Sequence, residues 1–223
     1  KARALELEGL TTYIYTGSYT LPIVTLTGSI QSDLVLIDKV IGVGEIAISD
    51  HRSSQPSLED IKKLAAHTRV GGILSNKAGI VHLHLGDGPG GINYLMDIAK
   101  NTEIPRKQFM PTHINRSEHL VEQSLDYLRE GGYIDLSSEF YKSQDWPDCM
   151  SIGETLRYYA EKDVPMDHIC ASSDANGSIP NFDKNGELIS IGIGSAKALF
   201  KDIRSAVVDF GISLEQALAL ITI

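Results

Sequence analysis

The chain has 223 residues, of which 42% are hydrophobic and 22% are charged, and its formal net charge is −9. This composition is typical of a globular domain that can bury a sizeable core. The acidic balance, without a cluster of Lys and Arg, argues against nucleic acid or an anionic membrane surface as a partner, because both are bound mainly through clustered cations. No apolar run reaches the length of a membrane span. We therefore expect a protein that acts on small molecules.

The cysteine content bears on the cellular location of the protein, and the first residues bear on whether the chain is part of a longer one. Cys149 and Cys170 are too few for a disulfide framework and lack the spacing of a thiolate metal site, so we expect free thiols and a cytoplasmic location. The segment from Lys1 to Glu6 resembles neither a signal peptide nor an ordinary start. We interpret the chain as a piece of a longer protein.

Apolar, β-branched runs alternate with helical patterns along the whole chain. In chain order, the first half predicts a strand over Thr11–Tyr19, a strand over Val40–Ser49, a helix that begins after Ser57, a strand over Gly79–Gly86 and a helix over about Gly91–Asn101. Ser57 and Asp60 have the spacing of a capping box, which supports the first of these helices. The stretch Ser29–Asp38 is ambiguous.

The second half continues the alternation. It predicts a strand over Gln108–Ile114, a helix that begins at Ser117, a strand over Tyr133–Ser138, a helix over Ser151–Lys162, a strand over His168–Asp174, and helices over Ser195–Asp209 and Ser213–Ile221. Strands that are apolar on both faces and alternate with helices predict an α/β fold with a parallel sheet covered by helices. Six such units suit either a doubly wound sheet or part of an eight-stranded barrel, and the alternation alone does not choose between them.

Polar residues stand at the ends of most of the predicted strands. They are Tyr19 after the first run, Asp50 and Arg52 after the second, His84 near the end of the third, His113 at the end of the fourth and Asp174 at the end of the sixth. A parallel barrel builds its active site from the C-terminal ends of several strands, whereas a doubly wound sheet concentrates its ligands at one switch point. The distribution therefore favours a (β/α)₈ barrel of the TIM type. Glu45 lies inside an apolar strand, where a carboxylate is costly unless it is paired or bound to a metal.

Each of these residues also has a structural interpretation. His84 could equally be a hydrogen-bonded core histidine, or it could form a two-histidine metal motif with His82, which points to the same face of the strand. His113 could mark the entry of a helix, and Asp174 could cap a turn. Together, however, two imidazoles and two carboxylates make a site that suits zinc or a similar divalent ion. Nearby arginines suit carboxylate recognition, so the residues point to metal-assisted hydrolysis of a small acidic substrate.

At these residues the sequence resembles the isoaspartyl dipeptidases, the β-aspartyl peptidase branch of the amidohydrolase superfamily. The resemblance extends over essentially the whole chain, in the same order and at comparable spacing. The matching segments are Thr16–Tyr19, Ala47–Ser53, His84–Asp87, Pro111–Arg116 and Ser172–Ser178. Those that read Ala-Ile-Ser-Asp-His-Arg and Pro-Thr-His-Ile-Asn-Arg are the most specific.

The resemblance implies a barrel that holds two Zn²⁺ ions in its active site. His84 and His113 would bind one ion, Asp174 would bind the other, and Glu45 would bridge both in place of a carboxylated lysine. Tyr19 would polarise the scissile carbonyl, while Arg52, Arg116 and Ser178 would position the substrate. His82 is expected to be structural, because the resemblance implies one histidine ligand on that strand.

The implied reaction is hydrolysis of a β-aspartyl dipeptide to aspartate and a free amino acid by a metal-activated hydroxide, with Asp174 carrying the proton. A small acidic dipeptide is thus the expected partner, and a homo-oligomer is the expected assembly. The chain would supply strands 3 to 8 of the barrel, residues 1–223, without the His-x-His strand and the C-terminal segment of the family. We therefore expect these residues alone to fold poorly and to lack the complete two-metal site. The alternatives are a cyclic amidase of the dihydroorotase or hydantoinase type and a non-catalytic, degenerate barrel.

Overall fold

The structure is a computed structural model that describes residues 1–142, 147–183, 185 and 187–222. The chain divides into two compact units. The first comprises Lys1–Thr112 and Glu130–Tyr133, and the second comprises His113–Arg129 and Ile134–Ile223. Each unit carries a different part of the predicted site.

The first unit is a four-stranded parallel sheet with helices in its connections. Its strands are β1 (Ile14–Thr16), β2 (Val40–Ile48), β3 (Ile80–Leu85) and β4 (Phe109–Thr112), hydrogen-bonded in that order. Its helices are α1 (Ala2–Leu7), α2 (Ile30–Leu36), α3 (Leu58–Ser75) and α4 (Asn93–Asn101). Because neighbouring strands run parallel, their C-terminal ends share one edge of the sheet.

Apolar runs place β2 and β3 at the centre of this sheet. Val43, Ile46 and Ala47 of β2 and Val81 and Leu83 of β3 are all completely buried. Residues that point to opposite faces of the same strand are therefore both covered, as the continuous apolar runs predict for a parallel sheet. The predicted α/β fold with a parallel sheet is confirmed.

Several helices begin where a serine side chain satisfies one of their first N–H groups. Ser57 accepts a hydrogen bond from the backbone of Asp60, whose carboxylate accepts in return from Ser57, so the predicted capping box is confirmed. Ser29 and Ser32 form another box, which explains why the ambiguous stretch folds as α2. A third box joins Ser151 and Glu154.

The second unit contains a parallel strand pair, a hairpin and four helices among its described residues. The parallel strands are β5 (Ile134–Ser137) and β6 (Ile169–Ser172), and the antiparallel hairpin joins β7 (Ser178–Phe182) to β8 (Leu188–Ile193). The helices are α5 (Glu118–Arg129), α6 (Ile152–Glu161), α7 (Ala196–Val208) and α8 (Leu214–Thr222). Cys149 and Cys170 are both free.

Each of the six predicted runs contains a strand, although the strands are shorter than the runs. The largest difference is in the first run, where β1 covers only Ile14–Thr16 and Tyr19 lies in the loop that follows. The hairpin of β7 and β8 and the short helix α1 were not predicted. Within the described residues, no helix combines the length and the apolar character that crossing a membrane requires.

Candidate active site

His84 is the centre of a polar cluster in the first unit. It is the penultimate residue of β3, it is 2% exposed, and it pairs in register with Ala47 of β2. The backbone N–H of Ala47 also donates to the carbonyl of Tyr19 at 3.0 Å, which ties the loop after β1 to the middle of the sheet. This pairing brings Tyr19 beside His84 although 64 residues lie between them in the chain.

The Nδ1 atom of the His84 ring faces a phenol and a carboxylate. The Tyr19 Oη atom lies 2.7 Å from Nδ1, and Oε1 of Glu45 lies 3.3 Å from the same atom. The Tyr19 and His84 rings are 4.6 Å apart between centroids and tilted by 44°. Tyr19, Glu45 and His84 thus surround a common point near the C-terminal edge of the sheet.

The Nε2 atom of the same ring faces an ion pair. Oδ2 of Asp50 lies 3.0 Å from His84 Nε2, and Arg52 Nη2 also lies 3.0 Å from it. Arg52 donates to Asp50 through Nε at 3.0 Å and through Nη2 at 2.8 Å, which is a bidentate pairing. The guanidinium carbon lies 5.7 Å from the centroid of the Tyr19 ring.

The electrostatics of this pair follow from its burial and its hydrogen bonds. Burial by itself raises the pKa of Asp50, but hydrogen bonds from the Arg52 side chain and backbone, with the positive charge of Arg52, hold that pKa well below its usual value. The Arg52 pKa is raised, chiefly by its hydrogen bonds to Asp50. Both groups are therefore charged across the neutral range, and the cluster carries a fixed guanidinium.

Glu45 and His84 are also two of the groups that could hold a metal ion. A carboxylate oxygen and an imidazole nitrogen are ligands that Zn²⁺ accepts, and their 3.3 Å separation lets one ion contact both. Glu45 keeps 28% of its side chain exposed, so the carboxylate also reaches the open side of the site. The donor set of this unit therefore fits the metal that the sequence predicts.

His82, two residues earlier on β3, has a different environment. Its ring stacks on Tyr15 with centroids 5.1 Å apart and planes 12° apart. Burial lowers its pKa, which favours the neutral imidazole. These contacts are those of a packed histidine, in keeping with the expectation that His82 is structural.

The second unit holds His113 and Arg116 around one aromatic ring. His113 directly follows β4 with a φ of 64°, is 3% exposed and has its Nδ1 atom 2.6 Å from Ser137 Oγ. Its ring meets Phe140 edge-on at 6.0 Å. The Arg116 guanidinium lies 5.6 Å from the centroid of the same Phe140 ring. Both predicted site residues therefore share a wall formed by Phe140.

The side chain of Asn115 holds the turn that carries His113 and Arg116. It is completely buried, its Oδ1 accepts from the Ser137 backbone N–H at 2.8 Å, and its Nδ2 donates to the carbonyls of Ser137 and Met150, each at 2.9 Å. These bonds join the turn to the end of β5 and to Met150 within the second unit.

Asp174 and Ser178 lie on the segment after β6. Asp174 has a φ of 46°, and its carbonyl accepts from the N–H of Gly177 at 3.0 Å. A Cβ atom at Gly177 would stand 2.6 Å from Asp174 Oδ1, and one at Gly194 would stand 2.5 Å from the Asp174 carbonyl oxygen. Glycine at both positions thus allows the tight turn. Ser178 begins β7, opposite Ile193.

Four predicted site residues of the first unit, Tyr19, Glu45, Arg52 and His84, are brought together by the fold. In the second unit His113 and Arg116 share Phe140, whereas Asp174 and Ser178 lie on the tight turn. Sequence reasoning gave no role to Asp50 or Ser137, which contact the two predicted histidine ligands. Asp50 could have been found, because a carboxylate two residues before Arg52 at a strand end is a ready partner for a guanidinium.

The comparisons with known proteins agree on one class of enzyme. Over 98% of its length the chain is similar to a β-aspartyl dipeptidase from the thermophilic, keratin-degrading Fervidobacterium islandicum AW-1, solved in complex with the β-Asp-Leu dipeptide, with 48% identity and a TM-score of 0.90. A second crystal structure of a β-aspartyl dipeptidase from that strain matches with 45% identity and a TM-score of 0.85. The chain spans 55% and 54% of those two chains. No model of a protein family matches. The predicted resemblance to isoaspartyl dipeptidases is confirmed.

Proposed function

We propose that this chain is part of a β-aspartyl dipeptidase, which hydrolyses the side-chain amide of an isoaspartyl residue to release aspartate and a free amino acid. The observation that carries the proposal is the assembly of Tyr19, Glu45 and Arg52 around His84. The related structure that holds β-Asp-Leu supports the choice of substrate.

The proposed metal ligands are Glu45, His84, His113 and Asp174, which would hold two Zn²⁺ ions. His84 would bind through Nδ1, because that atom faces Glu45, and His113 would bind through Nε2, because Ser137 engages its Nδ1. Glu45 would bridge the ions in place of a carboxylated lysine. Zinc held there would lower the pKa of a bound water and so supply hydroxide at neutral pH.

The side chains of the chain would perform the remaining steps. The Tyr19 hydroxyl would donate a hydrogen bond to the oxygen of the scissile carbonyl, where negative charge develops. Asp174 would accept the proton of the attacking water and deliver it to the departing amine. The guanidinium groups of Arg52 and Arg116 would bind the carboxylates of the dipeptide, and the Ser178 hydroxyl would help to position it.

The proposed fold is a partial (β/α)₈ barrel in which residues 1–223 supply strands 3 to 8. Parallel pairing of β1 to β4, helices between successive strands and polar side chains at the C-terminal strand ends support it. We further propose a cytoplasmic homo-oligomer that acts on a small acidic dipeptide and binds neither nucleic acid nor membrane.

The test compares two isomeric dipeptides with the full-length gene product reconstituted with zinc. We expect release of leucine from β-aspartyl-leucine and none from α-aspartyl-leucine, because the site is proposed to present hydroxide to the side-chain carbonyl. The variant Asp174→Asn should lose this activity, and Asp126→Asn, which changes an exposed aspartate on α5, should retain it. Failure to cleave either dipeptide would overturn the proposal, and cleavage of dihydroorotate instead would favour a cyclic amidase.

A further inference from the structure

In the first unit, the backbone segments that follow β2 and β3 pack against each other and so position the Asp50 carboxylate. Asp50 is the second residue after β2, and its side chain is 3% exposed. Gly86, directly after β3, donates to the Ile48 carbonyl at 3.2 Å, and Gly88 donates to the Ser49 carbonyl at 2.7 Å. A Cβ atom at Gly86 would stand 2.5 Å from Asp50 Cα and Cβ. Glycine at this position therefore lets the loop after β3 pack directly against Asp50.

Both oxygens of this carboxylate have partners within hydrogen-bonding distance. Oδ1 accepts from the Arg52 backbone N–H at 2.6 Å and from Arg52 Nε at 3.0 Å. Oδ2 accepts from Arg52 Nη2 at 2.8 Å and lies 3.0 Å from His84 Nε2. One buried carboxylate thus contacts a group proposed to bind the substrate and a group proposed to bind the metal.

We propose that Asp50 is a positioning residue that orients Arg52 and His84 together, an inference that rests on the proposed function. The bidentate contact fixes the plane of the guanidinium, which must be oriented to meet a substrate carboxylate. A hydrogen bond donated by His84 Nε2–H to Asp50 Oδ2 selects the tautomer whose Nδ1 lone pair faces Tyr19 and Glu45, and a carboxylate in this place raises the basicity of a histidine ligand. Arg52 Nη2 cannot donate to a protonated Nε2, so its hydrogen goes to Asp50 Oδ2.

An ion pair with only a structural role would have different consequences. It would only stabilise the loop after β2. Its loss would then lower the thermal midpoint but leave KM and zinc affinity of the folded protein unchanged. If Asp50 positions both groups, its loss should instead change two quantities that can be measured separately. The Arg52 contact should govern KM for the dipeptide, and the His84 contact should govern zinc affinity.

The first experiment measures zinc affinity by competition with a fluorescent chelator, and KM and kcat for β-aspartyl-leucine, in the full-length protein. Asp50→Asn should weaken zinc binding about 10- to 100-fold, the usual effect of losing a carboxylate behind a histidine ligand. Arg52→Lys should raise KM but leave zinc affinity unchanged. In the double variant the increase in KM should be smaller than the product of the two single effects, because the two residues act as a unit. The matched control, Asp126→Asn, breaks an exposed aspartate–arginine pair and should change none of these quantities.

The outcomes separate this inference from the proposed function. Wild-type zinc affinity and KM in folded Asp50→Asn protein, whatever its thermal midpoint, would overturn the positioning role. An inactive wild-type protein would contradict the proposed function, while its zinc affinity would still test the contact with His84.

A second measurement does not depend on the folding of an Asp50 variant. Nitrogen-15 histidine NMR of the zinc-loaded wild-type protein, with His84→Asn for assignment, should place the ring proton of His84 on Nε2. A proton on Nδ1 would contradict the proposal.

Discussion

Tyr19 owes its place at the site to backbone pairing rather than to a strand of its own. Its carbonyl accepts from Ala47 at 3.0 Å, while its hydroxyl stands 2.7 Å from His84 Nδ1. The Tyr19 backbone is therefore tied to β2 and its hydroxyl lies beside His84, so the phenol already stands at the proposed site, as a donor to a developing negative charge must.

Replacement of Tyr19 by phenylalanine tests that role. Tyr19→Phe keeps the ring that packs beside His84 and removes the hydroxyl, so we expect kcat for β-aspartyl-leucine to fall about 100- to 1,000-fold with little change in the thermal midpoint. Tyr13→Phe is the matched control, because Tyr13 is 59% exposed and lies just before β1, the strand that precedes Tyr19. An equal loss in both variants, or no loss in Tyr19→Phe, would argue against a role for the phenol.

Several residues at strand ends have a left-handed backbone. Ser49, His113, Glu139 and Asp174 follow β2, β4, β5 and β6 and have φ angles of 51°, 64°, 68° and 46°. This conformation costs a residue other than glycine roughly 1–2 kcal/mol. At these four positions the cost falls where the chain leaves a strand, and His113 and Asp174 among them belong to the proposed site; Gln55, Asn76, Asp163 and Asn176 carry the same conformation elsewhere.

At the scale of single elements, the turn between β4 and α5 depends on the buried amide of Asn115. The change Asn115→Asp removes both donated hydrogen bonds and sets an anion against the carbonyls of Ser137 and Met150. We expect a loss of about 2 kcal/mol or more in the free energy of unfolding, because each lost buried hydrogen bond costs about 1–3 kcal/mol. Urea unfolding measures it, with the exposed Asn181→Asp as control, and equal stability of the two variants would refute this account of the turn.

Helix α2 is anchored by a buried carboxylate. Asp33 is completely buried and accepts hydrogen bonds from Thr16 Oγ1, from the Leu26 backbone and from both the backbone and the hydroxyl of Thr27. Burial raises its pKa, but these hydrogen bonds outweigh burial and leave the pKa below its ordinary value of 3.8. The carboxylate therefore joins the loop after β1 to the start of α2.

The lowered pKa fixes the sign of a pH dependence. A carboxyl group with a lowered folded-state pKa stabilises the fold above its ordinary pKa, and that contribution is lost as the pH falls through the folded-state value. We expect Asp33→Asn to lower the thermal midpoint at pH 7 and to have a smaller effect at pH 3. A difference between wild type and variant that stayed constant from pH 7 to pH 3 would contradict this assignment. Asp60→Asn is a comparison at an exposed helix cap.

Across the whole molecule, the same relation between strands and polar residues recurs in both units. The C-terminal ends of β1, β2 and β3 lead to Tyr19, to Asp50 and Arg52, and to His84, while those of β5 and β6 lead to Ser137 and Asp174. Buried apolar residues make up most of β2 and β3, because a parallel sheet is covered on both faces. Within each unit, most of these polar groups therefore lie at or just after the C-terminal ends of strands, which is where a barrel enzyme would place its chemistry.

The sequence by itself determined the alternation of strands and helices, the parallel sheet, the capping box at Ser57 and the class of enzyme that the chain resembles. These features depend on local periodicity, on side-chain capping and on short motifs, all of which are written in consecutive residues. Only the tertiary structure decided that the Tyr19 hydroxyl faces Nδ1 of His84, that Asp50 lies behind Nε2, and that Ser137 engages His113. Such contacts join residues that are distant in the chain, and they depend on strand register and on close packing at Gly86, which hydrophobic periodicity does not specify.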